Sequence, residues 1–198
     1  MSEKTTKKIS TRKLTITALL FALIFVLDLS GLGFIFFLGF MKGTILHVPV
    51  IIGSVVEGPF VGAVLGLLFG LSSLWSSYAR PIPISPAFHN PLVSVLPRIL
   101  VGITPYFTYK FSKNILQKFK WNEYVASLLA SVIGTLTNTV LVLSMIYLLS
   151  ADFINQIFGV DAGQFLTTIG ITNGPAEILL AAIVCTPIVV VLNTKVKK

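Results

Sequence analysis

Long apolar runs, separated by short breaks of glycine, proline and charged residues, make up most of this 198-residue sequence. A helix needs roughly 20 apolar residues to cross a membrane. On that length the runs predict six spanning helices, at residues 13–29, 43–56, 59–77, 91–111, 122–149 and 172–193. The pattern therefore predicts an all-α membrane protein, a six-transmembrane-helix bundle that forms one integral membrane domain over residues 1–198.

A tight turn at Glu57-Gly58-Pro59 separates the second predicted span from the third, because proline cannot continue a helix and is favoured at the start of the next one. Beyond the turn, glycine recurs at every fourth position, as Gly62, Gly66 and Gly70. One face of the third span therefore has almost no side chains. We expect the backbone of another helix to pack against that face.

Basic residues cluster at the ends of the apolar runs and give the chain a formal net charge of +8. Lysine and arginine concentrate in the cytoplasmic segments of membrane proteins. With six spans, the clusters place both chain termini in the cytoplasm, with a basic tail at residues 1–12. The clusters are not a basic face interleaved with aromatic residues, so we expect no nucleic-acid partner. They comprise Lys4, Lys7, Lys8, Arg12 and Lys13, then Lys110, Lys113, Lys118 and Lys120, and finally Lys195, Lys197 and Lys198.

The composition excludes several classes of function. With 55% hydrophobic and 11% charged residues and a mean hydropathy of +0.91, the chain is far more apolar than a soluble domain. Its single cysteine, Cys185, excludes an internal disulfide and a multi-cysteine metal site. The sequence has no phosphate-binding loop, no His-Glu-x-x-His and no Gly-x-Ser-x-Gly motif. We therefore expect neither an enzyme nor a bound metal.

Three longer connections lie on the outer side in this topology. Ser30–Lys42 is apolar and glycine-rich, and Tyr78–Asn90 contains several prolines. We expect both to fold over a cavity as lids, since proline lowers the entropy lost on ordering. The alternative is that they rest at the lipid interface. The third connection, Ser150–Ile171, is predicted to be an interfacial amphipathic turn.

Arg98 lies inside the fourth span, where an arginine that faces lipid costs at least ~2.5 kcal/mol. Two motifs, Asn90-Pro91 and Asn173-Gly174-Pro175, predict helix N-termini on the same side of the membrane. The partial positive charge of such termini favours an anion. Arg98 is therefore expected either to bind an anionic ligand or to pair with Glu177, in the predicted first turn of the sixth span.

Three more side chains are candidates for ligand binding in the outer half or the middle of the bundle. Asn138 falls in the middle of the fifth span, and His47 begins a short, proline-containing part of the second. Either side chain can instead bond to a neighbouring helix. Trp75 lies near the outer end of the third span, where an aromatic residue also suits the interfacial belt.

Three motifs are similar to those of a known family. The first span carries Ala18-Leu19-Leu20-Phe21-Ala22, and the second carries His47-Val48-Pro49-Val50-Ile51-Ile52-Gly53 ahead of the turn and the glycine repeat. With its size, six predicted spans, basic tail and apolar outer loops, the whole chain resembles the substrate-binding S components of energy-coupling-factor (ECF) vitamin transporters. The run from Asn90 to Arg98 looks most like the pantothenate-type branch.

The resemblance implies a multi-pass protein of the prokaryotic plasma membrane that captures a water-soluble vitamin from outside. Ala18 and Ala22 would dock the membrane coupling subunit, which works with two cytosolic ATPases. Those partners use ATP, so this chain itself would carry no cofactor. Pantothenate would place its carboxylate at Arg98, its hydroxyls and amide at His47, Asn138 and Asn173, and its dimethyl group under Trp75.

Two alternatives stay open at this point. Folate, pyridoxine or cobalamin would be recognised on the same scaffold in this family. A self-sufficient carrier coupled to protons would instead use His47 or Glu177 as a relay.

Overall fold

Helices dominate the structure, a computed structural model that describes residues 11–37 and 41–196. Most of the predicted cytosolic tail, residues 1–12, lies outside the described residues, as do Lys197 and Lys198. The helices are α1 (Thr11–Ser30), α2 (His47–Glu57), α3 (Pro59–Ala79), α4 (Pro91–Ser94), α5 (Leu96–Ile115), α6 (Asn122–Phe158) and α7 (Ala162–Val196). A 3₁₀ helix, Ser85–His89, precedes α4, and the antiparallel strands β1 (Phe34–Phe37) and β2 (Met41–Thr44) join α1 to α2. The predicted helical architecture is confirmed, with the hairpin as an addition.

Five segments of the described chain are long and apolar enough to cross a membrane: α1, α3, the pair α4 and α5 taken together, α6 and α7. The predicted span at residues 43–56 is instead the end of β2 followed by α2. With 11 residues, α2 is about 16 Å long, roughly half the thickness of the hydrocarbon core. All of α2 except Val56 is buried, and α1, α3, α5, α6 and α7 all contact it. α2 is thus the central helix of the bundle.

The predicted turn at Ser150–Ile171 is wrong, because most of that segment is helical. α6 kinks at Ser150 (φ −144°, ψ 18°) and continues to Phe158, and Gly159 ends it with a left-handed φ of 65°. α7 then begins at Ala162. Leu166 packs in a buried cluster with α6 and the 3₁₀ helix, and this packing explains why the helix begins before residue 172.

The predicted helix N-terminus at Asn173-Gly174-Pro175 is also wrong, since Pro175 lies inside α7. Membrane helices tolerate an internal proline because neighbouring groups satisfy the freed carbonyl. Glu177 is likewise an interior residue of α7. The other predicted cap is confirmed: the Asn90 side chain accepts a hydrogen bond from the Leu92 backbone N–H at 3.0 Å, with Pro91 in the first turn.

The glycine face of α3 packs directly against the backbone of α5. A Cβ atom on Gly62 would lie 1.9 Å from the carbonyl oxygen of Gly102, and one on Gly66 would lie 2.1 Å from that of Arg98. A Cβ on Gly70 would come within 2.7 Å of the Val95 Cα. No side chain fits at these contacts, so the seam between α3 and α5 fixes the position of the Arg98 backbone.

The two ends of the bundle differ in what they contain. Lys13 Nζ donates to the Glu57 carbonyl at 3.3 Å, and Asn193 Nδ2 donates to the Tyr109 hydroxyl at 3.0 Å, so both described chain ends lie at one end of the bundle. We call this the terminal end. The opposite, or cavity, end holds the hairpin and the connection between α3 and α4, residues 80–90.

Candidate functional site

A cavity of about 410 Å³ opens at the cavity end, within the size range of small-molecule sites. Its walls are the end of α1, the second half of α3, the first turn of α5, and the middle parts of α6 and α7. Both predicted lid segments contribute to it. Gly31 and Leu32 line it beside the hairpin, and Ile82, Ile84 and Phe88 line it from the 80–90 connection.

One polar cluster in the wall joins α1 to α3. Asp28, which is 1% exposed, accepts hydrogen bonds from Ser72 at 2.5 Å and from Ser76 at 3.3 Å. Arg80 Nη2 donates to the Asp28 carboxylate at 2.9 Å, while its Nη1 donates to the Asp28 backbone carbonyl at 2.6 Å. We call Asp28, Ser72, Ser76 and Arg80 the Asp28 network. Arg80 balances the charge of the Asp28 carboxylate, and the hydrogen bonds of this carboxylate go to groups of the protein itself.

Arg98 has a different environment, although it lines the same cavity. Only 4% exposed, its guanidinium lies between the rings of Phe69 and Phe88, with Cζ 5.5 Å from each centroid. Its Nη1 donates to the Val93 carbonyl at 2.6 Å, but its Nε has no hydrogen-bond partner among the described residues. Nor does any carboxylate of the described residues lie within 4.0 Å of it. Arg98 and Glu177 therefore form no direct ion pair, and their opposite charges attract at longer range.

Glu177 is used elsewhere in the wall. One carboxylate oxygen accepts from the backbone N–H of Thr44 at 2.8 Å, and the other accepts from the Thr139 hydroxyl at 3.3 Å. Thr44 is the last residue of β2. Glu177 therefore fastens the end of the hairpin to α6 and α7.

Two amide side chains complete the polar part of the wall. Asn138 is 4% exposed and Asn173 is 7% exposed, and both line the cavity. The Asn138 Oδ1 atom is buried with no hydrogen-bond partner among the described residues. We call Arg98, Asn138 and Asn173 the Arg98 group. Buried polar groups are rarely left without partners, so the group is suited to contacts with a ligand.

The structure does not bring His47 and Trp75 into this wall. His47 is fully buried in α2, with Nε2 3.0 Å from the Thr135 hydroxyl of α6. Trp75 is 51% exposed on the outside of α3. Successive helix residues are about 100° apart, so a face formed by Ser73 and Ser76 turns Trp75 away from the cavity.

Sequence reasoning did not identify the serines of α3, the Asp28 network or the Phe69 and Phe88 rings as a single site. The sequence does contain one signal for part of this site: four serines recur at helical spacing in the otherwise apolar helix α3, namely Ser72, Ser73, Ser76 and Ser77. Ser73, Ser76 and Ser77 all line the cavity. The spacing predicts a polar face but not the groups that it meets.

All residues that line the cavity lie within a match to a known protein family. The family model for the substrate-specific component of ECF transporters matches residues 12–189. The pantothenic acid transporter PanT of Lactococcus lactis subsp. cremoris (strain MG1363) is 37% identical over 167 residues, which are 77% of this chain and 79% of that protein. A pantothenate transporter PanT of Leuconostoc mesenteroides subsp. mesenteroides is 39% identical over 61 residues, 30% of each chain.

Proposed function

This chain belongs to the family of substrate-specific components of ECF transporters, and on that premise we propose that it captures pantothenate for uptake. The family consists of transport components and not enzymes, and the chain is a multi-pass protein of the cell membrane. The relatives named above are pantothenate transporters. Their names and the chemistry of the cavity support the same ligand.

The observation that carries the proposal is the buried Arg98 guanidinium, which lines the cavity without a carboxylate partner among the described residues. Pantothenate is a monoanion with a single carboxylate. Hydrogen bonds between arginine and a carboxylate are charge-assisted and stronger than neutral ones. A bound carboxylate would also compensate the cost of keeping the arginine out of water.

The rest of the wall suits the remainder of the molecule. The amide N–H and the hydroxyls of pantothenate can donate to Asn138 Oδ1, and Asn173 offers both a donor and an acceptor. Phe69 and Phe88, which flank Arg98, supply apolar surface for the methylene groups next to the carboxylate. Pyridoxine lacks a carboxylate, folate carries two, and cobalamin is far larger than a cavity of about 410 Å³. These differences favour pantothenate.

The topology and the partners are part of the proposal. We count the short helix α2 as a sixth membrane segment, which puts both termini, and the basic α5–α6 connection, in the cytoplasm. Among the described side chains of α1, only Ile24 and Asp28 are buried, and Ala18 and Ala22 are exposed. We propose that the exposed face of α1 that carries Ala18 and Ala22 docks the coupling subunit, and that two cytosolic ATPases hydrolyse ATP to drive uptake. We also propose that the whole chain forms one integral membrane domain.

The test is calorimetric titration of the purified protein in detergent. Pantothenate is expected to bind tightly, and panthenol, in which an alcohol replaces the carboxylate, is expected to bind at least ~100-fold more weakly because it leaves Arg98 without an anion. Pyridoxine and folate serve as further ligands. Equal binding of pantothenate and panthenol would contradict the role of Arg98, and failure of a folded sample to bind pantothenate would overturn the substrate.

A further inference from the structure

We propose that Glu177 limits the ligand to one negative charge, so that the cavity accepts a monocarboxylate with a hydroxyl at its far end and rejects the phosphate ester of that hydroxyl. This inference rests on the proposed binding of pantothenate. It concerns the end of the ligand that Arg98 does not hold. For pantothenate, it means that the free vitamin is selected over its 4′-phosphate.

The first step is the charge balance of the cavity wall. Its charged side chains, as far as the structure describes the chain, are Asp28, Arg80, Arg98 and Glu177. Asp28 and Arg80 neutralise each other in an ion pair at 2.9 Å. Arg98 and Glu177 form no such pair. The four charges sum to zero, and Arg98 and Glu177 attract each other without direct contact. A ligand carboxylate at Arg98 therefore already adds one negative charge to this described wall, and a second anionic group finds no cation left to meet there.

The second step is the hydrogen bonding of Glu177. Its two oxygens accept from the Thr44 N–H and the Thr139 hydroxyl. An ionised carboxylate has about four lone-pair positions and no donor. The remaining positions can accept from a ligand hydroxyl. A phosphate or a second carboxylate has only oxygens to offer there, and the two negative charges repel each other in a largely dry site.

The consequence is a fixed orientation for the ligand. Its carboxylate meets Arg98, its amide meets Asn138, and its hydroxyls donate towards Glu177. Phosphorylation of the terminal hydroxyl would replace a donor by a dianion beside Glu177, the one carboxylate of the described wall that forms no direct ion pair. The cavity thus distinguishes the two forms of the vitamin by charge and not only by size.

The test separates charge from size with three ligands: pantothenate, 4′-phosphopantothenate and 4′-O-acetylpantothenate, which adds bulk without charge. Dissociation constants are measured for the wild-type protein, Glu177→Gln and Asp152→Asn. The substituted amide keeps an acceptor for the Thr44 N–H, and Asp152 is an exposed carboxylate on α6, so the control removes an equal charge outside the cavity. In the wild type, the acetyl ester is expected to bind at least ~10-fold more tightly than the phosphate ester.

In Glu177→Gln, the ratio of the dissociation constants of phosphopantothenate and pantothenate is expected to fall about tenfold, with no such gain for the acetyl ester. Asp152→Asn should leave the ratio unchanged. An unchanged ratio in Glu177→Gln, or an equal gain for both esters, overturns the inference. If Glu177→Gln does not fold, equal binding of the two esters by the wild type still overturns it. Absence of pantothenate binding by the wild type is a separate result, which refutes the proposed function itself.

Discussion

In the wall of one cavity, the Asp28 network and the Arg98 group differ in where their hydrogen bonds go. The Asp28 carboxylate meets two hydroxyls and a guanidinium, all from α3 and the residue that follows it. Arg98 Nε and Asn138 Oδ1 have no partner among the described residues. Arg80 Nε has none either, but both terminal nitrogens of Arg80 are bonded to Asp28. An unsatisfied buried polar group costs about 1–3 kcal/mol. We infer from this difference that the Asp28 network stabilises the fold, and we propose that the Arg98 group contacts the ligand.

The largest expected effect separates affinity from stability at Arg98. Arg98→Gln should weaken pantothenate binding by ~100-fold or more, because it removes the charge-assisted contacts to the carboxylate. The midpoint of thermal unfolding in detergent should change much less than the affinity. Within the described structure, the substitution removes a hydrogen bond to the Val93 carbonyl and two ring contacts but no direct ion pair. Equal losses of affinity and stability would assign Arg98 to the same class as Asp28.

Gly66→Ala should damage both properties, because its Cβ would lie 2.1 Å from the Arg98 carbonyl oxygen. Forced overpacking of this kind costs ~1–3 kcal/mol, and the displaced backbone carries the Arg98 side chain with it. Thermal unfolding and pantothenate titration measure the two losses. Gly174→Ala is the matched control, since a Cβ there meets nothing within 4 Å. A stable Gly66→Ala protein with normal affinity would refute the seam as the support of the site.

Asp28→Asn should have the opposite effect to Arg98→Gln, with a loss of stability and little loss of affinity. Loss of the carboxylate weakens the contacts to Ser72, Ser76 and Arg80, and we expect a loss of ~1–3 kcal/mol in the free energy of unfolding. Pantothenate affinity, measured below the unfolding temperature, should stay within about threefold of the wild type. Asp152→Asn serves as the exposed control. A large loss of affinity without loss of stability would move Asp28 into the binding set.

Asn138→Leu should weaken pantothenate binding by about tenfold, the value of one buried hydrogen bond, and leave thermal stability unchanged or higher. Replacement by an apolar side chain of similar size removes an orphaned acceptor from the interior. Calorimetry and thermal unfolding again give the two readouts. A clear loss of stability would show that Asn138 bonds to a neighbouring helix, the alternative that its position in the membrane also suggests.

Trp75→Phe gives the smallest expected effect. The side chain is 51% exposed on the outer surface of α3 and does not line the cavity. We expect a change of less than about twofold in pantothenate affinity, since surface substitutions of this kind are within about 0.5 kcal/mol. Titration by calorimetry avoids the loss of the fluorescent group. A tenfold loss would mean that the cavity is bounded differently in the bound protein.

The sequence predicted those features that depend on local chemistry. Apolar length identified most of the long helices, the Asn90 cap followed from a side chain next to Pro91, and the cost of an arginine in an apolar run singled out Arg98. The same local logic failed at Asn173-Gly174-Pro175, which has the composition of a helix start. There the packing of Leu166 against α6 and the 3₁₀ helix extends α7 past the motif.

Features that depend on the register between distant segments could not be predicted. The Asp28 network requires α1 and α3 to meet at one particular height, and its partners are 44 to 52 positions apart in the chain. The hairpin depends on the pairing of Phe34 with Thr44, in a segment whose apolar residues also suit a loop. From the sequence, Glu177 was one of two alternative partners for Arg98, the other being an anionic ligand. In the structure, Glu177 bonds instead to Thr44 and Thr139.

The seam between α3 and α5 bears on the kinetics of ligand exchange. Because Gly66 and Gly70 touch the α5 side through backbone atoms, no side chain there can change rotamer to let the two helices separate. The 80–90 connection is therefore held at both of its ends. The hairpin is attached to α7 by the hydrogen bond from the Thr44 N–H to Glu177, which can break and re-form. We expect the rates of ligand arrival and departure to follow the hairpin, and to be insensitive to the length of the 80–90 connection.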